Sequence, residues 1–226
     1  MKLSPQTVVP SALLTAVLAL LTATLPGTAT AGTVITGGTE IVASFAYGQA
    51  THGVDFTSTT ALQINALGYW DSGADGLGTG NSYTVALWDT LNAGTPLASV
   101  TISDADALDA SSTVNGGQWR YETLGTTVNL ISGRTYTLGF YTPSSISSAD
   151  SLFLNYPSVT TAPSVTFVDH RRFLTGSALG FPSSITTAGS VLPGQVNAKF
   201  VPEPGSAGLM ILGSLMLLGR RRKTKG

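Results

Sequence analysis

The sequence predicts an all-β protein: an antiparallel β-sandwich of jelly-roll type over residues 32–200, with an apolar segment on either side of it. Three observations carry this reading. Runs of period-two alternation recur through the middle of the chain, Gly, Pro, Asn and Asp fill the gaps between them, and no stretch between Gly32 and Phe200 sustains a helical period. About ten short strands at this spacing fit two packed antiparallel sheets, and a closed barrel is the other architecture the pattern allows.

The N-terminal segment comes first. Met1 to Pro10 carries one charged side chain, Lys2, and "SALLTAVLALLTATLPGTATAG" follows, apolar and ending in small residues. Ala29-Thr30-Ala31 has the small-x-small form that a signal peptidase reads, so residues 1–31 are expected to be a signal peptide cut before Gly32. A retained membrane helix is the competing reading, disfavoured by the short apolar run and its interruption by Thr and Pro.

Strands follow. "ALQINALGYW" puts Leu62, Ile64, Ala66, Gly68 and Trp70 on one face. "SYTVALWD" alternates Tyr83, Val85 and Leu87, "GQWRYETL" alternates Trp119 and Tyr121, and "RTYTLGFY" alternates Tyr136, Leu138 and Phe140. Further strands are expected at Val42 to Phe45, Gly53 to Phe56, Leu97 to Ile102, Thr127 to Leu130, Leu152 to Leu154, Val165 to Val168 and Val196 to Phe200.

The C-terminal segment, residues 201–226, begins with Val201-Pro202-Glu203-Pro204. Residues 205–219 are then apolar on every side, which no amphipathic surface helix would be. Fifteen residues make a helix of about 22 Å, short of a bilayer core of about 30 Å. The basic stop at Arg220, Arg221, Arg222 and Lys223 supplies the missing length by snorkelling and favours a cytoplasmic end.

Charge and cysteine set the outer limits. The whole chain has a formal net charge of −1, yet six of its eleven Lys and Arg lie in the terminal segments. Residues 32–200 keep five basic against eleven acidic residues, a balance of −6, and a domain so acidic is a poor partner for nucleic acid. With no cysteine, an exported chain is held by its core, and about 170 residues bury enough surface to manage this.

The order of Pro202-Glu203-Pro204, a short transmembrane helix at 205–219 and a basic tail at 220–226 resembles the PEP-CTERM sorting signal. That resemblance implies signal peptidase and exosortase as processing enzymes. It also implies a transient inner-membrane intermediate in a Gram-negative-type bacterium, and release to the cell surface or extracellular matrix. A permanent single-span anchor is the plainer alternative. A second resemblance covers about residues 53–141: Leu67-Gly68, Asp75-Gly76-Leu77, Leu87-Trp88-Asp89 and the Leu130, Gly133, Tyr136 turn look like a β-sandwich module of unassigned function found in PEP-CTERM proteins. It brings no catalytic residues.

Candidate chemistry is sparse. His52 and His170 are the two histidines, and His170 in "VDHRRF" reads more simply as a solvated strand end or loop. No G-x-S-x-G elbow or H-E-x-x-H helix supports hydrolysis. Calcium is the one cofactor candidate. In "DSGADGLGTGNS", Asp71, Asp75 and Gly76 match positions 1, 5 and 6 of a calcium loop, while Gly73 and Ser82 fail at positions 3 and 12. "SDADALD" offers Asp104, Asp106 and Asp109, and Asx-type turns are the competing use of both clusters. Tyr69, Trp70, Trp88 and Trp119 either fill the core or form a sugar-stacking platform, for which Trp88 is the best candidate because it faces away from Tyr83, Val85 and Leu87. The expectation is a non-enzymatic surface or biofilm-matrix protein, structural or adhesive. The alternative is a carbohydrate-binding module for exported polysaccharide.

Overall fold

The computed structural model describes residues 31–39, 49–77, 82–114, 116–143, 153–155, 158–187 and 191–202. The expected signal peptide, the strand at Val42 to Phe45 and everything from Glu203 onward, including the expected transmembrane helix and basic stop, lie outside them. Among the described residues no helix is long and apolar enough to cross a membrane.

The described residues are all-β, as their periodicity predicts. The chain runs through β1 (Gly32–Thr33), β2 (Ile35–Gly37), β3 (Ala50–Ser58), β4 (Leu62–Asp71), a short 3₁₀ turn (Ser72–Ala74), β5 (Tyr83–Asp89), β6 (Ala98–Ile102), β7 (Ala107–Val114) and β8 (Gly117–Leu130). It continues through β9 (Thr135–Thr142), β10 (Phe153–Asn155), β11 (Thr160–Thr161), β12 (Val165–Thr175), β13 (Ser184–Thr187), β14 (Val191–Pro193) and β15 (Val196–Pro202). One sheet has the order β1-β15-β4-β8-β7 and the other β13-β12-β3-β9-β5-β6, with two small ribbons, β2 with β11 and β10 with β14. All of these pairs are antiparallel.

Three two-strand arms each pass from one sheet to the other. β3 and β4 form the first, and β8 with β9 lies along one side of it, β8 on β4 and β9 on β3. Along the other side, β12 pairs with β3 and β15 with β4. The two sheets form a β-sandwich, and the core lies between them. Tyr69 of β4 stacks on Tyr83 of β5 at 4.0 Å and meets Phe140 of β9 edge-on at 5.5 Å, so these rings join one sheet to the other. Val54, Phe56, Leu87 and Leu138 are fully buried beside them, each contributing about 1.5–3 kcal/mol by leaving water.

Two departures from regular alternation shape the first sheet. The ladders of β4 with both β8 and β15 shift at Asn65, where Ile64 opposes Val128 and Phe200 while Ala66 opposes Thr123 and Lys199. This bulge resets the side-chain parity. Leu67 and Tyr69 turn to the core, so Ala66, Gly68 and Trp70 do not share one inward face with Leu62 and Ile64 as simple alternation predicts. Glycine is required where β8 passes beneath Trp70, because a Cβ on Gly117 would stand 2.2 Å from the indole Cζ2 and 2.6 Å from the Asp71 carbonyl.

Candidate functional site

Each expected site residue has a definite place. Asp71, the last residue of β4, is fully buried at one end of the sandwich. Its Oδ2 accepts from Arg120 Nε at 2.7 Å, and both carboxylate oxygens accept from the Gly76 N–H at 3.1 and 3.2 Å. Arg120 also donates through NH1 to the carbonyls of Asp104 (2.9 Å) and Asp106 (2.8 Å), so one guanidinium closes the loop after β4 against the turn between β6 and β7. Asp104 Oδ1 accepts from Leu77 N–H at 2.5 Å, and Asp106 Oδ2 accepts from Ser103 N–H at 2.6 Å. Asp75 points to solvent. Asp71 and Asp75 therefore do not converge, and among the described residues no group of three His, Asp or Glu side chains could hold a metal. Of the expected calcium pair, Asp71 is thus buried and ion-paired and Asp75 exposed, and Arg120 already supplies beside Asp71 the positive charge that an ion would bring.

Trp88 lies on the outer face of the second sheet, as its parity predicts, yet it is only 1% exposed. Phe181, in the segment between β12 and β13, packs edge-on against it at 6.1 Å, and the Arg172 guanidinium sits 5.1 Å from the Phe181 ring centre. Arg172 Nε donates to both oxygens of the buried Asp55 at 2.7 Å, and Thr137 Oγ1 donates to Oδ1 at 2.6 Å. Trp88 is thus a packing residue under a covering strap, with no ring face open to a sugar. Tyr69, Trp70 and Trp119 are buried too, and Trp119 Nε1 donates to the Gly194 carbonyl at 3.2 Å. His52 lies inside β3 with its ring 5.6 Å from Phe140, and His170 pairs with Thr187 within β12 rather than ending a strand. Of the sorting motif, Val201 and Pro202 complete β15, opposite Gln63 and Leu62.

An open concavity among the described residues lies elsewhere, on the outer face of the first sheet. β7 has three more residues than β8 between two of their pairings, Leu108 with Arg120 and Thr113 with Gln118. This excess leaves the ladder and brings Asp109 to Lys199 of β15, with Nζ 2.9 Å from Oδ2. Asp109 Oδ1 accepts from Ser111 N–H at 2.9 Å and from Ser111 Oγ at 2.6 Å. Partial burial pushes the Asp109 carboxyl up, but the hydrogen bonds from Ser111 and Lys199 outweigh it and hold the group below the usual carboxylate range. The Lys199 ammonium also lies 4.3 Å from the centre of the Tyr121 ring, a cation–π contact.

Around this pair lie two hollows. One, of about 240 Å³, is bordered by Leu108, Tyr121 and Thr123. The other, of about 280 Å³, is bordered by Gly32, Thr33 and Ser111. Asn65, Asp109 and Lys199 line both. At the bulge, Asn65 Oδ1 is buried without a hydrogen-bond partner among the described residues, at a cost of about 1–3 kcal/mol. A ligand hydroxyl there could donate to Asn65 and accept from Lys199.

Residues 37–191 match the family profile described as a domain of unknown function (DUF4082). The chain belongs to the DUF4082 family. No curated protein matches it. The DUF4082 match ends before β15, so Lys199 comes from outside the matched span while Asn65, Asp109 and Tyr121 lie within it. Sequence reasoning passed over Asn65, Tyr121 and Lys199. Two signals were available: Lys199 is the only lysine between Gly32 and Phe200, and the adjacent apolar pair Ala66-Leu67 marks a parity break beside Asn65.

Proposed function

We propose that the protein is an exported, exosortase-sorted component of the bacterial cell surface or extracellular matrix. Its role is structural or adhesive rather than enzymatic, and its scaffold is a jelly-roll-like sandwich. The jelly-roll reading is supported by the arms that cross together from sheet to sheet. The observation that carries the sorting reading is the junction at β15. Val201 and Pro202 are the last paired residues of a strand inside the first sheet, so Pro202-Glu203-Pro204 begins without a linker at the edge of the folded unit. A processing enzyme would meet Pro202, the first residue of Pro202-Glu203-Pro204, at a fixed place in the sheet, and the two prolines of that sequence disfavour a regular helix.

The test is replacement of Pro202, Glu203 and Pro204 together by alanine in a cell that has the sorting enzyme. The variant is expected to stay in the inner membrane at full length. The unaltered protein is expected outside that membrane, lighter by about the mass of the segment after the motif. Unaltered protein retained with Arg220 to Lys225 attached would leave a plain anchor in its place.

The groove at Asn65, Asp109 and Lys199 favours a second reading, that the domain is a carbohydrate-binding module for exported polysaccharide. A pull-down with the polysaccharide of the producing cell tests it, and absence of the protein from the bound fraction would exclude it.

A further inference from the structure

We infer that the groove over Asn65, Asp109 and Lys199 is a binding site for neighbouring hydroxyl groups of a neutral glycan chain. This rests on the carbohydrate-binding reading above and assigns it a place and a ligand class. The charges argue first. One carboxylate and one ammonium stand 2.9 Å apart and cancel, so the groove offers no net attraction to an ion of either sign. A uronate or phosphate would bring a second anion against Asp109, into a domain that already carries a balance of −6.

Hydrogen-bonding capacity argues next. Asn65 Oδ1 is an acceptor with no donor among the described residues, and the Lys199 ammonium has three hydrogens, of which Asp109 takes one. A hydroxyl that donates to Asn65 can accept from Lys199, and the hydroxyl beside it can donate to the outer lone pairs of Asp109. Two adjacent hydroxyls on a sugar ring supply this set, and a hydrocarbon or an aromatic ligand does not. The Tyr121 ring does not serve as a stacking face because Lys199 covers it.

Shape argues for a chain. Each hollow is smaller than the about 300 Å³ at which compact small-molecule pockets begin, and the two share a wall of the same three side chains. Successive rings of a polymer would lie one in each, across the Asn65 bulge. Peptide is less suited, because among the described residues Leu108 is the only large aliphatic side chain on the first hollow.

Affinity electrophoresis of the purified full chain tests the inference, in gels containing galactomannan, dextran or xyloglucan, with alginate as the anionic polymer. Migration is expected to be retarded in at least one of the three neutral gels and unchanged in alginate. Lys199→Gln and Asn65→Ala are each expected to weaken the retardation at least tenfold, and Leu91→Ser, at an exposed turn after β5, to leave it unchanged. A melting curve for each variant separates lost binding from lost fold. Free mannose, galactose or glucose added to the gel distinguishes a monosaccharide site, which it would abolish at millimolar level, from a site that needs the chain. If wild type is retarded in a neutral gel and correctly folded Lys199→Gln and Asn65→Ala match it, the groove is not the site, although carbohydrate binding stands. Retardation in alginate alone overturns the neutral ligand. Retardation in none of the gels overturns this inference, and binding to the producer's own polysaccharide in the pull-down would still decide the reading beneath it.

Discussion

Replacing Arg120 by methionine tests whether one guanidinium closes the end of the sandwich. Methionine keeps most of the aliphatic volume and removes the charge and every donor. Asp71, fully buried, would be left, among the described residues, with the Gly76 N–H, and breaking a buried pair from one side costs about 3–5 kcal/mol. The carbonyls of Asp104 and Asp106 would also lose their donor, but water reaches this end and recovers some of that loss. A net cost of about 4 kcal/mol is therefore expected from the broken pair. For a domain of this size about 2–4 °C is lost per kcal/mol, so the melting temperature should fall by about 8–16 °C. Asp71→Asn alone should cost less, because its amide oxygen still accepts from Gly76. The double variant should be more stable than the sum of the two losses predicts, by about 1–3 kcal/mol, since neither charge then remains to be orphaned. Thermal melts followed by circular dichroism measure all four proteins. The reasoning is refuted if Arg120→Met melts within about 2 °C of wild type, a shift worth about 1 kcal/mol or less, or if the two single losses simply add.

Four further outcomes are expected. Gly117→Ala, which sets a Cβ against Trp70, should cost about 1–3 kcal/mol and alter the near-ultraviolet spectrum of the Trp70–Trp119 pair, whose rings lie 4.7 Å apart. Burial raises the Tyr136 phenol above its ordinary value, so its contribution is complete below about pH 10 and is lost as pH climbs through the folded-state value. Tyr136→Phe should flatten that alkaline loss in a pH series of melts, and should cost about 1 kcal/mol at neutral pH because the Ile131 N–H loses its acceptor. Asp109 is shifted the other way. Its contribution is present above the ordinary carboxyl value and lost as pH falls through the lower folded-state value, so Asp109→Asn should remove an acid limb worth no more than about 1 kcal/mol in urea titrations at graded pH. Millimolar calcium should leave the melting temperature unchanged, and a concentration-dependent rise would show that Asp71 or Asp75 meets an ion despite Arg120.

Alternation between polar and apolar residues made most strands legible, since a half-buried strand must write its two faces into a period of two. Tyr83 to Leu87 and Tyr136 to Phe140 lie where that period puts them. It failed where the ladder itself is irregular. The bulge at Asn65 changes which residues face inward, and β8 joins the Trp119 and Thr127 runs into a single strand of fourteen residues. β7 is not legible because Asp104, Asp106 and Asp109 read as a calcium cluster or as Asx-type turns, and the partner that Asp109 meets, Lys199, is far away in the chain. The surroundings of the expected site residues were less legible than the strands for the same reason. Spacing showed that Asp71 and Asp75 were near each other in the chain, but not that Arg120, forty-nine positions away from Asp71, would claim one of them. For Trp88, parity gave the outward direction and could not foresee Phe181 arriving from the far side of β12 to cover it.

The place of β15 has a mechanical consequence. A chain held by its C-terminal end loads this strand along its own axis. Because antiparallel hydrogen bonds run across the strands, the seven β15–β4 pairings resist the pull side by side and must shear together, whereas bonds loaded from an open end would break singly, each in its turn. Lys199 is three residues from the point where the strand leaves the sheet. A load taken up at Lys199 would reach the end of β15 through that short stretch of one strand, and a load taken up at Asn65 would cross to it through the β15–β4 ladder.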